Sequence, residues 1–127
     1  MRPARLLAIL LLFVAALGPH RALAVDPPYQ PQMERLSEIM GSLYFLDPLC
    51  ATASRPASDW RAEAGELIGL DQPDDDRRQR LAGAFNAGYE AYARLYRSCT
   101  SSAGEALTRL IVEAEQIARD IHARYAE

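Results

Sequence analysis

Two cysteines, Cys50 and Cys99, restrict the fold of this chain more than any other feature. They lie about 50 residues apart, at the ends of the first and third of four segments with helical hydrophobic periodicity. Short connections make successive helices antiparallel, which puts the ends of the first and third at one pole. A bond between the cysteines and an up-down topology therefore agree without either being forced. Closing such a loop contributes on the order of 4 kcal/mol on the chain-entropy account. That is a large share of a total stability of roughly 5–15 kcal/mol.

The N-terminus supplies the redox compartment. Arg2 and Arg5 precede an apolar run of 12 residues, Leu6–Leu17, and Ala22-Leu23-Ala24 has the small-x-small form of a cleavage site. The run falls short of the roughly 20 apolar residues that a spanning helix needs, and no second run of its length follows. Residues 1–24 are expected to be a signal peptide, and the mature protein to be periplasmic, with no stable membrane insertion after processing. No cysteine stands directly after the cleavage site, so no lipid anchor is expected, and an oxidising compartment favours the Cys50–Cys99 disulfide. Removal of Arg2, Arg5 and Arg21 leaves 11 basic against 17 acidic residues in Val25–Glu127. Such a surface repels nucleic acid and anionic lipid.

Val25–Pro31 is predicted to be an extended arm ahead of a helical domain over residues 32–127. The first helix is expected from Gln32 to Asp47, with Met33, Leu36, Ile39, Met40, Leu43, Tyr44 and Leu46 on one face. Phe45 falls off that face and is expected to pack under the next loop, and Pro48 ends the helix. Ser58 or Asp59 caps a short second helix with Trp60, Ala64, Leu67 and Ile68 inward, stopped by Gly69-Leu70. The third helix is expected from Asp74 to Arg97, with a narrow stripe of Leu81, Phe85, Tyr89, Tyr92, Tyr96 and Cys99. Ser102 and Glu105 have capping-box spacing for a last helix, Ala103–Tyr125, whose wide apolar arc suits more than one neighbour. The class is all-α: a small up-down bundle of about four helices with one disulfide.

The residue inventory argues against catalysis. His20 leaves with the signal, so His122 is the one histidine of the mature chain. That is too few for an imidazole zinc triad or a di-iron bundle, and a serine triad would rest on His122 alone. The cysteines lack C-x-x-C spacing, and the seven glycines form no phosphate loop. No metal, cofactor or catalytic residue is expected. Asp74-Asp75-Asp76 complements the dipole of a helix start and offers the pairs Asp74–Arg78 and Asp76–Arg80; it lacks the spacing of a calcium loop. The aromatic stripe suits core packing, yet tyrosine is also enriched in recognition surfaces. Trp60, Tyr89, Tyr92 and Tyr96 are therefore the candidate recognition groove.

Pro28–Gly41, with Leu49-Cys50 and Trp60-Arg61, resembles the opening of an uncharacterised alphaproteobacterial family of short secreted helical proteins. Ala84–Tyr89, Tyr92, Tyr96, Cys99-Thr100 and Ile117–Ile121 are similar to its later part. The resemblance implies a Gram-negative periplasm and no activity, since the family is a domain of unknown function. The reading is an exported, non-catalytic envelope interaction or accessory protein, whose partner is another periplasmic or envelope protein. The alternative is a bundle that binds a small ligand (lipid, peptide or glycan) in a Tyr-rich groove. A dry interior favours the first, and a pocket of several hundred Å³ lined by Tyr89, Tyr92 or Trp60 favours the second.

Overall fold

One helix carries the rest. The computed structural model describes residues 24–126, which form four helices: α1 (Gln30–Cys50), α2 (Trp60–Asp71), α3 (Asp75–Leu95) and α4 (Ser101–Tyr125). Leu36, Ile39, Met40, Leu43 and Leu46 form one buried apolar stripe on α1, and buried Gln30, Ser37, Gly41 and Ser42 extend the covered surface to either side of it. A helix covered on so many sides needs small residues such as Ser37, Gly41 and Ser42 where its neighbours come close. α2, α3 and α4 each pack on α1 and hardly touch one another. Ala103, Ala106, Leu107, Leu110 and Ala114 are the buried face of α4.

The expected all-α, up-down bundle is what forms. The Ser37 hydroxyl donates to the Leu81 carbonyl, and the Phe45 ring meets Tyr89, so α3 runs parallel to α1. Arg35 pairs with Glu113 while Tyr29 packs on Tyr125, so α4 runs back. The disulfide Cys50–Cys99 closes the shared pole, with Cα atoms 5.1 Å apart. The α1–α3 crossing is set by two glycines. A methyl group built on Gly41 would run into the Phe85 carbonyl, and one on Gly88 into the Glu38 carbonyl. Only hydrogen at those two positions lets the backbones approach this closely.

Several boundaries differ from the sequence expectation, each for a local reason. The extended arm is shorter, because α1 begins at Gln30 with Pro31 in its first turn, where a missing N–H is harmless. Pro48 does not end α1; it sits in the last turn, and the helix continues to Cys50, which the disulfide and the Arg55 hydrogen bond to its carbonyl hold in place. α2 stops at Gln72 rather than at Gly69, because Gln72 takes the left-handed conformation (φ 47°) and its N–H returns to the Gly69 carbonyl. α3 ends at Leu95, short of Arg97, as Tyr96 turns extended. Thr100, not Ser102, caps α4 by accepting from the Ala103 N–H at 3.1 Å. Asp74 uses its carboxylate to cap the Arg77 N–H at 2.8 Å, while the predicted Asp76–Arg80 pair forms. The predicted signal peptide lies, apart from Ala24, outside the described residues.

Candidate functional site

The four aromatic residues proposed for a groove are not brought together. Tyr89 is 38% exposed and meets Tyr44 and Phe45, each with ring centroids 5.7 Å away. Phe45 therefore packs against α3, not under the following loop. With Pro48 and Leu49 these three rings line a shallow recess of about 450 Å³ on the α1–α3 side. Tyr92 and Tyr96 stack on each other at 6.3 Å and lean on the core. Trp60 lies on α2 and faces Ile111 and Ala114 of α4.

Trp60 belongs first to a polar clamp. The Asp47 carboxylate, nearly inaccessible at the end of α1, accepts from Arg55 (2.6 Å), the Ser58 N–H (3.0 Å) and the Trp60 indole N–H (2.8 Å). Burial pushes the Asp47 pKa up, but those donors outweigh it and hold the carboxyl below its ordinary value. One acid thus fixes the α1–α2 connection and the start of α2. A second clamp stands at the opposite pole. Asp71 at the end of α2 accepts from the Tyr29 hydroxyl at 2.7 Å and pairs with Arg77, whose Nε donates to Gln30 at 2.7 Å. The hydrogen bond to Asp71 and then burial raise the Tyr29 pKa, so the phenol stays protonated. Buried Arg77 needs both partners, because an unpaired internal charge is costly.

Between the clamps, α2 and α4 make little contact with each other, although Met33, Leu36 and Met40 of α1 stay buried beneath them. The result is an apolar furrow floored by Met33, Leu36 and Met40 of α1. Its deeper part, about 600 Å³, lies between Tyr29 and Leu70 on one side and Ile121, His122 and Tyr125 on the other. Its shallower part, about 330 Å³, runs on to Trp60, Glu63, Ile111 and Glu115. The two share Leu36, Leu67 and Ala118, so they form one continuous trough. Leu70 stands on its rim 77% exposed. Ala118, although it lines both parts, is also exposed.

Sequence reasoning missed this furrow because its walls come from residues that looked like ordinary core stripe. One signal was present. The apolar arc of α4 was wider than a single contact needs, and the structure gives it α1 alone as a packed neighbour; Ile117, Ile121 and Tyr125 remain half-buried or exposed. Among the described residues no group of three or more His, Cys, Asp or Glu side chains could hold a metal ion. No helix among them is long and apolar enough to cross a membrane.

No curated protein and no solved structure matches the chain. Residues 28–125 match the family described as Protein of unknown function (DUF2385), and the chain belongs to that family.

Proposed function

We propose that the protein is a non-catalytic accessory protein of the periplasm, exported with cleavage after Ala24, which acts by holding an apolar segment of another envelope protein. The observation that carries this reading is the furrow between α2 and α4, where a solvated trough is lined with aliphatic side chains. Apolar recesses with a few polar groups at the rim are where binding sites are most often found. The disulfide fits an oxidising compartment. A small apolar ligand is the second reading, favoured by one observation: about 600 Å³ is the size of a small-molecule pocket.

The test uses positions in the furrow that carry little of the fold. Leu70→Glu and Ala118→Arg alter exposed residues, so each should change stability by no more than about 0.5 kcal/mol, the ordinary surface cost. Both variants are expected to fail to complement a deletion strain while melting with the wild type and accumulating in the periplasmic fraction. Full complementation by both would overturn the binding reading. Recovery of the protein in the cytoplasm with Met1 retained would overturn export.

A further inference from the structure

The two sulfurs of the Cys50–Cys99 bond are not equally approachable. Cys50 is the last residue of α1, half-buried and packed against the core, with its carbonyl held by Arg55 at 3.0 Å. Cys99 lies in the connection between α3 and α4, where Arg97, Ser98, Cys99 and Thr100 are all exposed. A thiol from outside therefore meets Cys99 first, and access is one of the factors that govern thiol–disulfide exchange. The helix ends add to the difference. Cys50 stands at the carbonyl end of α1, which disfavours negative charge on its sulfur. Cys99 immediately precedes Thr100, the N-cap of α4, and the amide end of a helix favours a thiolate.

From burial and helix polarity together we infer that Cys99 is the sulfur through which a thiol–disulfide oxidoreductase makes and breaks this bond, and that Cys50 is the resolving sulfur. On oxidation the Cys99 thiolate attacks one sulfur of the enzyme's disulfide, and the enzyme's other sulfur leaves as a thiolate. Cys50, having lost its proton, then attacks the Cys99 sulfur. The Cys50–Cys99 bond closes and the enzyme's second thiolate is released. The chain gives up two electrons and two protons, and the enzyme becomes a dithiol. Reduction runs the same route backwards: an enzyme thiolate attacks Cys99 and expels Cys50. The expelled thiolate is left at the carbonyl end of α1, where charge is disfavoured, and it recloses on Cys99 beside it. A poor leaving group behind the reachable sulfur slows exchange, so the folded protein keeps its bond. That such an enzyme meets the chain rests on the export reading above, whereas the choice of sulfur rests on the fold alone.

The probe is glutathione, a small thiol with the same chemistry. Cys50→Ser and Cys99→Ser each lose the same bond, so the two variants are weakened alike and can be compared. Under native conditions oxidised glutathione should capture Cys99 in Cys50→Ser about tenfold faster than it captures Cys50 in Cys99→Ser. In enough urea to unfold both, the ratio should fall to about one, because the fold supplies the difference. The wild type gives a second measurement that needs no variant. Oxidised protein treated with reduced glutathione, quenched with acid and blocked at its free thiols, is digested with trypsin. Cys50 then falls in Leu36–Arg61, since Arg55 precedes a proline, and Cys99 falls in Ser98–Arg109. Glutathione should be found on Ser98–Arg109.

Equal native capture rates in the two folded variants, or faster capture at Cys50, would overturn the assignment. So would glutathione on Leu36–Arg61 of the wild type, and that mapping decides alone if circular dichroism shows either variant unfolded. Recovery of the protein in the cytoplasm with Met1 retained would overturn export, and with it the oxidoreductase as a partner, while the peptide map would still decide between the two sulfurs.

Discussion

Replacing Gly88 with alanine tests the central packing argument. In an open helix interior, glycine to alanine is stabilising by about 1 kcal/mol, because the unfolded glycine has more freedom to lose. Gly83, five residues earlier on α3, is such a site, since a methyl group there meets nothing within 4 Å. At Gly88 the same methyl is driven into the Glu38 carbonyl and within 2.8 Å of the Ser42 hydroxyl. A backbone carbonyl inside a packed helix cannot rotate away, so α3 must lift off α1, loosening Leu81 beside Ser37 and Phe85 against Gly41. Overpacking costs about 1–3 kcal/mol, and a backbone clash belongs at the upper end. Subtracting the helix gain leaves a net loss of about 2 kcal/mol for Gly88→Ala, against a gain of about 1 kcal/mol for Gly83→Ala. For a domain of this size 1 kcal/mol moves the midpoint by about 4–8 °C. Thermal melts followed by circular dichroism should show Gly88→Ala falling by about 8–16 °C and Gly83→Ala rising by about half as much. The two substitutions are chemically the same and lie on one helix, so the opposite signs isolate the crossing. A Gly88→Ala midpoint equal to or above wild type would refute the idea that these glycines set the α1–α3 distance.

Four further outcomes follow from the structure. Cys50→Ser should lower the melting midpoint, with about 4 kcal/mol at stake for a loop of this length, and non-reducing mass analysis of the wild type should find it two hydrogens lighter than its reduced form. Because the Asp47 pKa is depressed in the fold, its contribution is present above the unfolded carboxylate value of about 4 and is lost as pH falls through the folded one; melts of Asp47→Asn should be lower at neutral pH and depend less on acid than wild type. Tyr89→Ala should cost about 1 kcal/mol because the ring is already partly exposed, while Leu81→Ala, fully buried, should cost about 2–5 kcal/mol in urea titrations. N-terminal sequencing of periplasmic material should begin at Val25.

The sequence made the helices and their order legible, and physical reasons decide where it stopped. Periodicity exposes a buried stripe whatever covers it, so α1 and α4 could be read directly. Cys50 and Cys99 then fixed the pole. Helix ends were harder because they depend on single hydrogen bonds: Thr100 outcompeted Ser102 as a cap, and Gln72 adopted a left-handed turn that Gly69 was better suited to supply. The aromatic seam misled for a different reason. Equal spacing on α3 says that Phe85, Tyr89 and Tyr92 share a side of the helix. It does not say that α1 fills the middle of that side and splits the rings between a recess beside Tyr44 and a stack on Tyr96. A trough between two elements is a relation between stripes, and neither stripe contains it.

The residues that carry the family resemblance turn out to be occupied with the fold. Gly41 and Gly88 set the helix crossing, Tyr29 and Gln30 close the Asp71–Arg77 clamp, Trp60 satisfies Asp47, and Cys50 and Cys99 join the poles of α1 and α3. Their spacing is what an α1-centred bundle demands, whatever the bundle is for. The chemistry of binding has to be sought among side chains that the fold does not use. Leu70 and Ala118 qualify, being apolar, exposed and on the lining of one trough. Variation at these two positions should therefore alter what the protein holds and leave its melting midpoint alone, whereas variation at the two glycines should do the reverse.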